Sequence, residues 1–202
     1  MPEKLDLYKE HAEEYVARKN PTILRVKPAK YLTLDGCGDP GGKHFQDCVG
    51  ALYAIAFTIK MAKKFAGTDY HVCHLEGLWS RSEEASTTWH WKLMIRTPEF
   101  IKQKDVDNAV DVSMARGKHS LVESVKLETI KEGSVVQALH IGPYANESET
   151  IRVMEEVAAE QGFKLEGSHH EIYLSDPRRV APENLKTIVR YRIVRTPYLG
   201  YE

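Results

Sequence analysis

Glu171 is the first residue whose type and setting could do chemistry. It stands in HHEIYLS over His169–Ser175, a strand pattern that puts Ile172 and Leu174 on one side and Glu171, Tyr173 and Ser175 on the other. If the second side lines a pocket, Glu171 is a partly desolvated carboxylate with a raised pKa, able to anchor a cation or act as a general base. The same alternation also describes a strand whose polar side meets solvent. Aromatic residues add weight to the pocket reading. Trp79 ends EGLW, and Trp89 and Trp91 alternate on the next strand, on one face and about 7 Å apart. Rings that converge with a carboxylate suit flat, apolar or cationic molecules, because stacking and cation–π attraction act together. The alternative is that the indoles fill the core between sheet and helix.

Other candidate motifs carry less. His169 and His170 alternate across a strand, and His71 and His74 lie on opposite faces, so neither pair can chelate one metal from its own segment, and no metal is expected. His140, just before Ile141-Gly142-Pro143-Tyr144, could hydrogen-bond a ligand or Glu171, or serve as a satisfied structural histidine. The glycine run Gly36-Cys37-Gly38-Asp39-Pro40-Gly41-Gly42-Lys43 follows a strand and precedes a helix. It lacks the G-x-x-x-x-G-K-[ST] order of a phosphate loop and is read as a turn. There is no G-x-S-x-G elbow and no C-x-x-C, and no cofactor is expected. Cys37, Cys48 and Cys73 match neither a disulfide framework nor a zinc knuckle.

The elements that must position these residues follow from periodicity. Lys4–Ala17 reads as a weakly amphipathic N-terminal helix ending before Asn20-Pro21. Thr22–Val26 and Lys30–Asp35 flank Lys27-Pro28-Ala29 as a hairpin. After the glycine run, Phe45, Val49, Leu52, Ala56 and Ile59 recur at helical spacing. Asp69–Trp79 and Thr88–Arg96 are two strands joined by the polar loop Ser80–Thr87. The second half repeats this order: a hairpin of Val125–Ile130 and Ser134–Ile141, a helix with Ile151, Met154, Val157 and Ala158 on one face, then strands at His169–Ser175 and Leu185–Arg195. The closing segments Ile95-Arg96-Thr97-Pro98 and Val194-Arg195-Thr196-Pro197 align.

The chain therefore reads as an internal duplication. The fold class is α+β, with tandem βαββ-type units about a pseudo-twofold axis and a central ligand cleft on antiparallel sheets. The first repeat spans about 21–98, a helical insertion about 99–120 and the second repeat about 121–197, all in one domain over 1–202.

Composition sets the outer bounds. With 28 Lys plus Arg against 29 Asp plus Glu, the chain has no global attraction for a phosphate backbone. Arg178-Arg179 is too small a cluster to imply DNA, so nucleic acid is not an expected partner. The longest apolar stretch, Val49–Ile59, is about half of what a membrane span needs, and no membrane partner is expected. The N-terminus alternates acids and bases without an apolar signal run, which points to the cytoplasm.

Several segments together carry a family resemblance. LHIGPYANESETI from Leu139, HHEIYLSDPRRVAPENLKTIVRY from His169, EGLW with WHWKLMIRTP, and the N-terminal YKEHAEEY and PAKYLTLDG resemble the GyrI-like small-molecule-binding proteins across nearly the whole chain. HEIYLSDP followed by LKT is the most specific part. These proteins resemble effector-binding domains of multidrug-sensing transcription regulators, in which a buried strand glutamate amid aromatic rings receives cationic drugs. Glu171 occupies that glutamate's place. The resemblance implies a stand-alone domain for small aromatic or cationic molecules. It also implies, from some relatives, hydrolysis of the strained cyclopropane of DNA-alkylating natural products, in the sense of detoxification. On that reading Glu171 and Tyr173 are the catalytic candidates, and Trp79, Trp91, Glu171, Tyr173, Tyr144 and His140 bind the ligand. A non-catalytic module that sequesters drugs is the alternative. Interaction with DNA gyrase, suggested by the family name, has no exposed partner motif to support it.

Overall fold

The computed structural model describes residues 4–81, 88–118 and 120–197; most of the loop expected over Ser80–Thr87 lies outside them. Its elements in chain order are helices α1 (Leu7–Glu10) and α2 (Ala12–Tyr15), strands β1 (Thr22–Val26) and β2 (Ala29–Gly38), and helix α3 (Lys43–Phe65). Strands β3 (Glu76–Arg81) and β4 (Trp89–Arg96), helix α4 (Gln103–Ala115), and strands β5 (Lys126–Ile130) and β6 (Gly133–Ile141) follow. Helix α5 (Glu147–Glu160) and strands β7 (Phe163–Tyr173) and β8 (Lys186–Arg195) complete the chain. The mixed α+β class is as expected, with antiparallel strands throughout the paired ladders.

The described residues form two compact units. One gathers 4–12 and 28–131, the other 13–27 and 132–197. In the first, the strands run in the order β3-β4-β2-β5. Helix α3 packs on β2 and β4 and buries Cys48, Ala51, Leu52, Ile55, Ala56 and Ile59. Leu52, Ile55 and Ile59, all at most 1% exposed, each contribute about 1.5–3 kcal/mol by leaving water. The glycine run ahead of α3 is a turn only over its second part: Gly36, Cys37 and Gly38 still pair with β4 as the end of β2, and then Asp39 accepts from Gly41 N through its side chain (2.8 Å) and from Gly42 N through its carbonyl (2.9 Å). Lys63 and Lys64 lie in the last turn of α3, where cations complement the helix dipole. Within the expected insertion, α4 packs against α3 and buries Val106 and Ala109.

In the second unit the order is β1-β6-β8-β7, with α5 laid across β6, β7 and β8. Its core is Val136, Ala138, Met154, Ala158, Val189 and Ile193. A polar cluster is buried with it. Arg190, 1% exposed, donates to Glu132 Oε2 (2.8 Å), to Gln137 Oε1 (2.9 Å) and to the Glu14 carbonyl (2.6 Å). Nδ1 of His170 meets the other oxygen of Glu132 at 2.9 Å.

The structure corrects three local expectations. The two hairpins do not form: β1 pairs with β6 (Thr22 opposite Gln137), and β2 pairs with β5 (Ala29 opposite Ile130). The reason is occupancy, because β2 already has β4 on one edge and β5 on the other, and each strand edge offers one ladder. The N-terminal helix is two four-residue pieces split at His11. Leu5 bridges Tyr70 in the first unit, whereas the Glu14 carbonyl is held by Arg190 in the second. Strand β3 starts at Glu76 rather than Asp69, and β7 starts at Phe163 rather than His169.

Candidate functional site

Strand β7 carries the predicted glutamate. Its pairing with β8 shifts between Glu166 and His170, where Gly167 takes φ +77°, a backbone state that disfavours side chains with a Cβ. Beyond the bulge, Glu171 lies opposite Val189 and Tyr173 opposite Thr187. Alternation sends His170 and Ile172 to one face and His169, Glu171 and Tyr173 to the other, as the sequence pattern requires. His169 Nε2 lies 2.7 Å from Glu171 Oε1.

A second carboxylate joins from α5. Glu147 is the first residue of that helix, and the spacing 147, 151, 154, 158 places it on the stripe that buries Met154 and Ala158. Glu147 is 5% exposed and Glu171 8%. Ligand atoms of Glu147, His169 and Glu171 all lie within 4.8 Å of one another. These are the residues that could hold a cation. The adjacent histidines part company: His169 turns to Glu171, His170 to Glu132.

Electrostatics follow from this crowding. Burial, then the charge of Glu171 and a hydrogen bond to it, push the Glu147 carboxyl up to about 9, so it holds its proton at neutral pH. The helix N-terminus acts the other way, but a dipole effect of about 0.3–1 kcal/mol is too small to reverse burial beside a like charge. One Glu147 oxygen, Oε1, is buried with no hydrogen-bond partner among the described residues.

Aromatic rings surround the pair. Tyr144, at the turn before α5, meets Tyr173 edge-on with centroids 5.8 Å apart. Tyr191 on β8 lies 5.7 Å from the His169 ring. Burial, followed by charges that include Glu171 and Glu147, raises the phenols of Tyr144 and Tyr191 to about 12, so both keep a hydroxyl proton to donate. Sequence reasoning missed Glu147 and Tyr191. The signal for Glu147 was its place on the apolar stripe of α5, which a first-turn acid on a solvated helix would not occupy.

His140, for which the sequence left a ligand-binding and a structural part open, has both ring nitrogens engaged within the protein. Its Nε2 meets the Pro143 carbonyl at 3.1 Å and its Nδ1 the Thr150 hydroxyl at 2.9 Å. A carbonyl only accepts, so Nε2 carries the proton and, in the neutral ring, Nδ1 accepts from Thr150. Both ring nitrogens are spent on joining β6 to α5.

The tryptophans belong to the first unit. Trp79 and Trp91 are directly opposed on β3 and β4, with ring centroids 6.0 Å apart. Phe45 of α3 stacks on Trp79 (5.7 Å) and meets Trp91 edge-on (5.2 Å), while Trp89 meets Trp79 edge-on at 5.9 Å. Trp79 is 6% and Trp91 3% exposed. Strand β2 makes room for this cluster at Gly36, where an added Cβ would lie 2.4 Å from Trp91 Nε1. A separate groove of the same unit, about 550 Å³, is lined by α4 and β5 residues such as Val106, Asp107, Val110 and Leu127 and by none of the predicted site residues.

Comparison with known proteins gives a consistent set of likenesses. The model of the GyrI-like small-molecule-binding domain matches residues 19–193. A search of curated proteins finds no match. The crystal structure of a hydrolase from Listeria innocua is 34% identical and covers 95% of this chain and 100% of its own, with a TM-score of 0.87. An uncharacterized conserved protein from Listeria innocua is also 34% identical, with the same coverage and a TM-score of 0.88. The C-terminal domain of EcmrR, 10% identical over 87% of this chain and 98% of that one, has a TM-score of 0.57, a likeness of fold alone.

Proposed function

Because the chain belongs to the GyrI-like small-molecule-binding family, we propose that Glu171 and the rings about it receive flat hydrophobic or cationic molecules, and that the protein hydrolyses cyclopropane-bearing alkylators. The observation that carries this reading is a carboxylate only 8% exposed, held by His169 at 2.7 Å on the same strand face as Tyr173. The charge of Glu171, one of the causes that raise the Glu147 carboxyl, is what can attract a cation, and its carboxylate is what can take a proton. The hydrolase from Listeria innocua, 34% identical over the full length of its own chain, supports the catalytic half of the proposal.

The reaction runs as a water addition. Water oxygen bonds to the cyclopropyl methylene as Glu171 takes its proton, and the strained carbon–carbon bond breaks. Its electron pair passes through the conjugated ring to the carbonyl oxygen, which stays on its ring carbon and becomes a phenol on taking a proton, so the product is the substrate plus one water. Tyr173 donates a hydrogen bond to that oxygen as charge develops.

Incubation with a cyclopropane-bearing alkylator, read by mass spectrometry, yields a product heavier by one water, and Glu171→Gln abolishes it. Equal product from both proteins would overturn the catalytic role. Binding is read apart from chemistry: a rhodamine-type dye quenches tryptophan emission, and Glu171→Gln weakens that quenching. If the dye binds and no alkylator is hydrolysed, the non-catalytic sequestering module is the correct reading.

A further inference from the structure

Two carboxyl groups this close and this buried cannot both be charged without a positive partner. Glu147 and Glu171 are 5% and 8% exposed, and with His169 they present ligand atoms within 4.8 Å of one another. One oxygen of Glu147 has no hydrogen-bond partner among the described residues. The titratable groups about the pair are His169 and Tyr173 on β7, Tyr191 on β8 and Tyr144 before α5, and beyond them Asp176 acts on Tyr144 and Glu155 on Tyr191. Glu171 is the charged group that acts on Glu147, and no lysine or arginine among the described residues offsets it. The polar set is therefore acid, acid, imidazole and phenols, and the positive partner must come from outside or be a proton.

We propose that Glu147 is a second binding arm of this site, which keeps a proton while the site is empty and releases it when a cationic ligand enters. The inference rests on the cation-binding reading above and adds an exchange to it: one proton out for one organic cation in. In the empty site the pair carries one negative charge, shared near Glu171, and the proton on Glu147 satisfies the second oxygen pair. A permanent cation against both groups removes the repulsion that held the proton. Glu147 then ionises and adds its own attraction. The burial that pushes its carboxyl up to about 9 in the empty site makes this exchange measurable at neutral pH.

The test is calorimetric titration with rhodamine 6G, whose charge is constant near neutrality, in phosphate and in Tris at pH 7.5 and matched ionic strength. Those buffers differ in ionisation enthalpy, so the difference in observed heat counts protons. Wild type should release about one proton per dye bound, and its affinity should rise about tenfold per pH unit between pH 6 and 8. Glu147→Gln should bind with no proton release and an affinity independent of pH. Equal heats and a flat pH profile in wild type would overturn the proposal, and so would release that persists in Glu147→Gln. The wild-type pH profile needs no variant and decides the matter if the variant does not fold. Absence of dye binding by wild type in either buffer would instead overturn the cation-binding reading itself.

Discussion

His169 and His170, adjacent in sequence, hold two different glutamates on opposite faces of one strand. His169 Nε2 reaches Glu171 at 2.7 Å, and His170 Nδ1 reaches Glu132 at 2.9 Å. The first belongs to the proposed ligand site and the second to the buried Arg190 cluster, so a single strand divides ligand chemistry from scaffold chemistry. The predictions below separate the two.

Glu132 should protect the protein at neutral pH and fail it in acid. Burial alone would raise its carboxyl, but His170 and Arg190 override burial and hold it down to about 2, against 4.5 for a free glutamate. A depressed acid contributes stability that is complete above pH 4.5 and lost as pH falls through about 2. Glu132→Gln should cost about 3–5 kcal/mol near pH 7, because Arg190 is left buried without its counter-charge. Urea unfolding from pH 7 to pH 2.5 should show that cost shrinking with acid.

Glu147→Gln should have the opposite pH signature. Native Glu147 holds its proton up to about pH 9, while the unfolded chain loses it near 4.5. The native state therefore binds the extra proton between those limits, and this group makes wild-type stability fall as pH rises through them. The amide mimics the protonated acid and removes the dependence. Thermal unfolding should find Glu147→Gln more stable than wild type at pH 8.5, by about 1–3 kcal/mol, with the two converging near pH 5.

Gly36→Ala should disturb the tryptophan cluster. The new Cβ would lie 2.4 Å from Trp91 Nε1, and overpacking of this kind costs about 1–3 kcal/mol. Lost near-ultraviolet dichroism and a shifted tryptophan emission should accompany the lower denaturation midpoint. An unchanged spectrum would mean that the indole is not held as described.

His140→Ala should lower stability by about 1–3 kcal/mol and leave dye affinity unchanged, because both ring nitrogens of His140 are engaged by Thr150 and Pro143. A stable variant with weakened dye binding would return His140 to the ligand.

The legible part of the fold was what local periodicity encodes. The spacing of Phe45, Leu52, Ala56 and Ile59 announces α3, the alternation around Glu171 announces the face it shares with Tyr173, and Asp39-Pro40-Gly41-Gly42 announces a turn, whereas the strand runs on through Gly36 and Gly38. Partner choice was not legible. Thr22–Val26 has a period of two whatever strand lies beside it, so nothing in that segment reveals that its ladder is β6 and not β2. Glu147 was hidden for a related reason: acids are common in the first turn of exposed helices, and only its phase with Met154 and Ala158 marks it as buried. Trp79 and Trp91 were left open between core and pocket, and their low exposure reflects packing on Phe45.

The pairing of β1 with β6 also has a kinetic cost during synthesis. Thr22–Val26 leaves the ribosome long before Gly133–Gln137, its ladder partners. At about 5–20 residues per second, the strand waits on the order of 5–20 s with its backbone donors and acceptors unpaired. A nascent chain stalled near Lys131 already holds every strand of the first unit, but it carries β1 as an open edge able to recruit a neighbouring chain. Truncation before β6 therefore turns a structural strand into an aggregation seed.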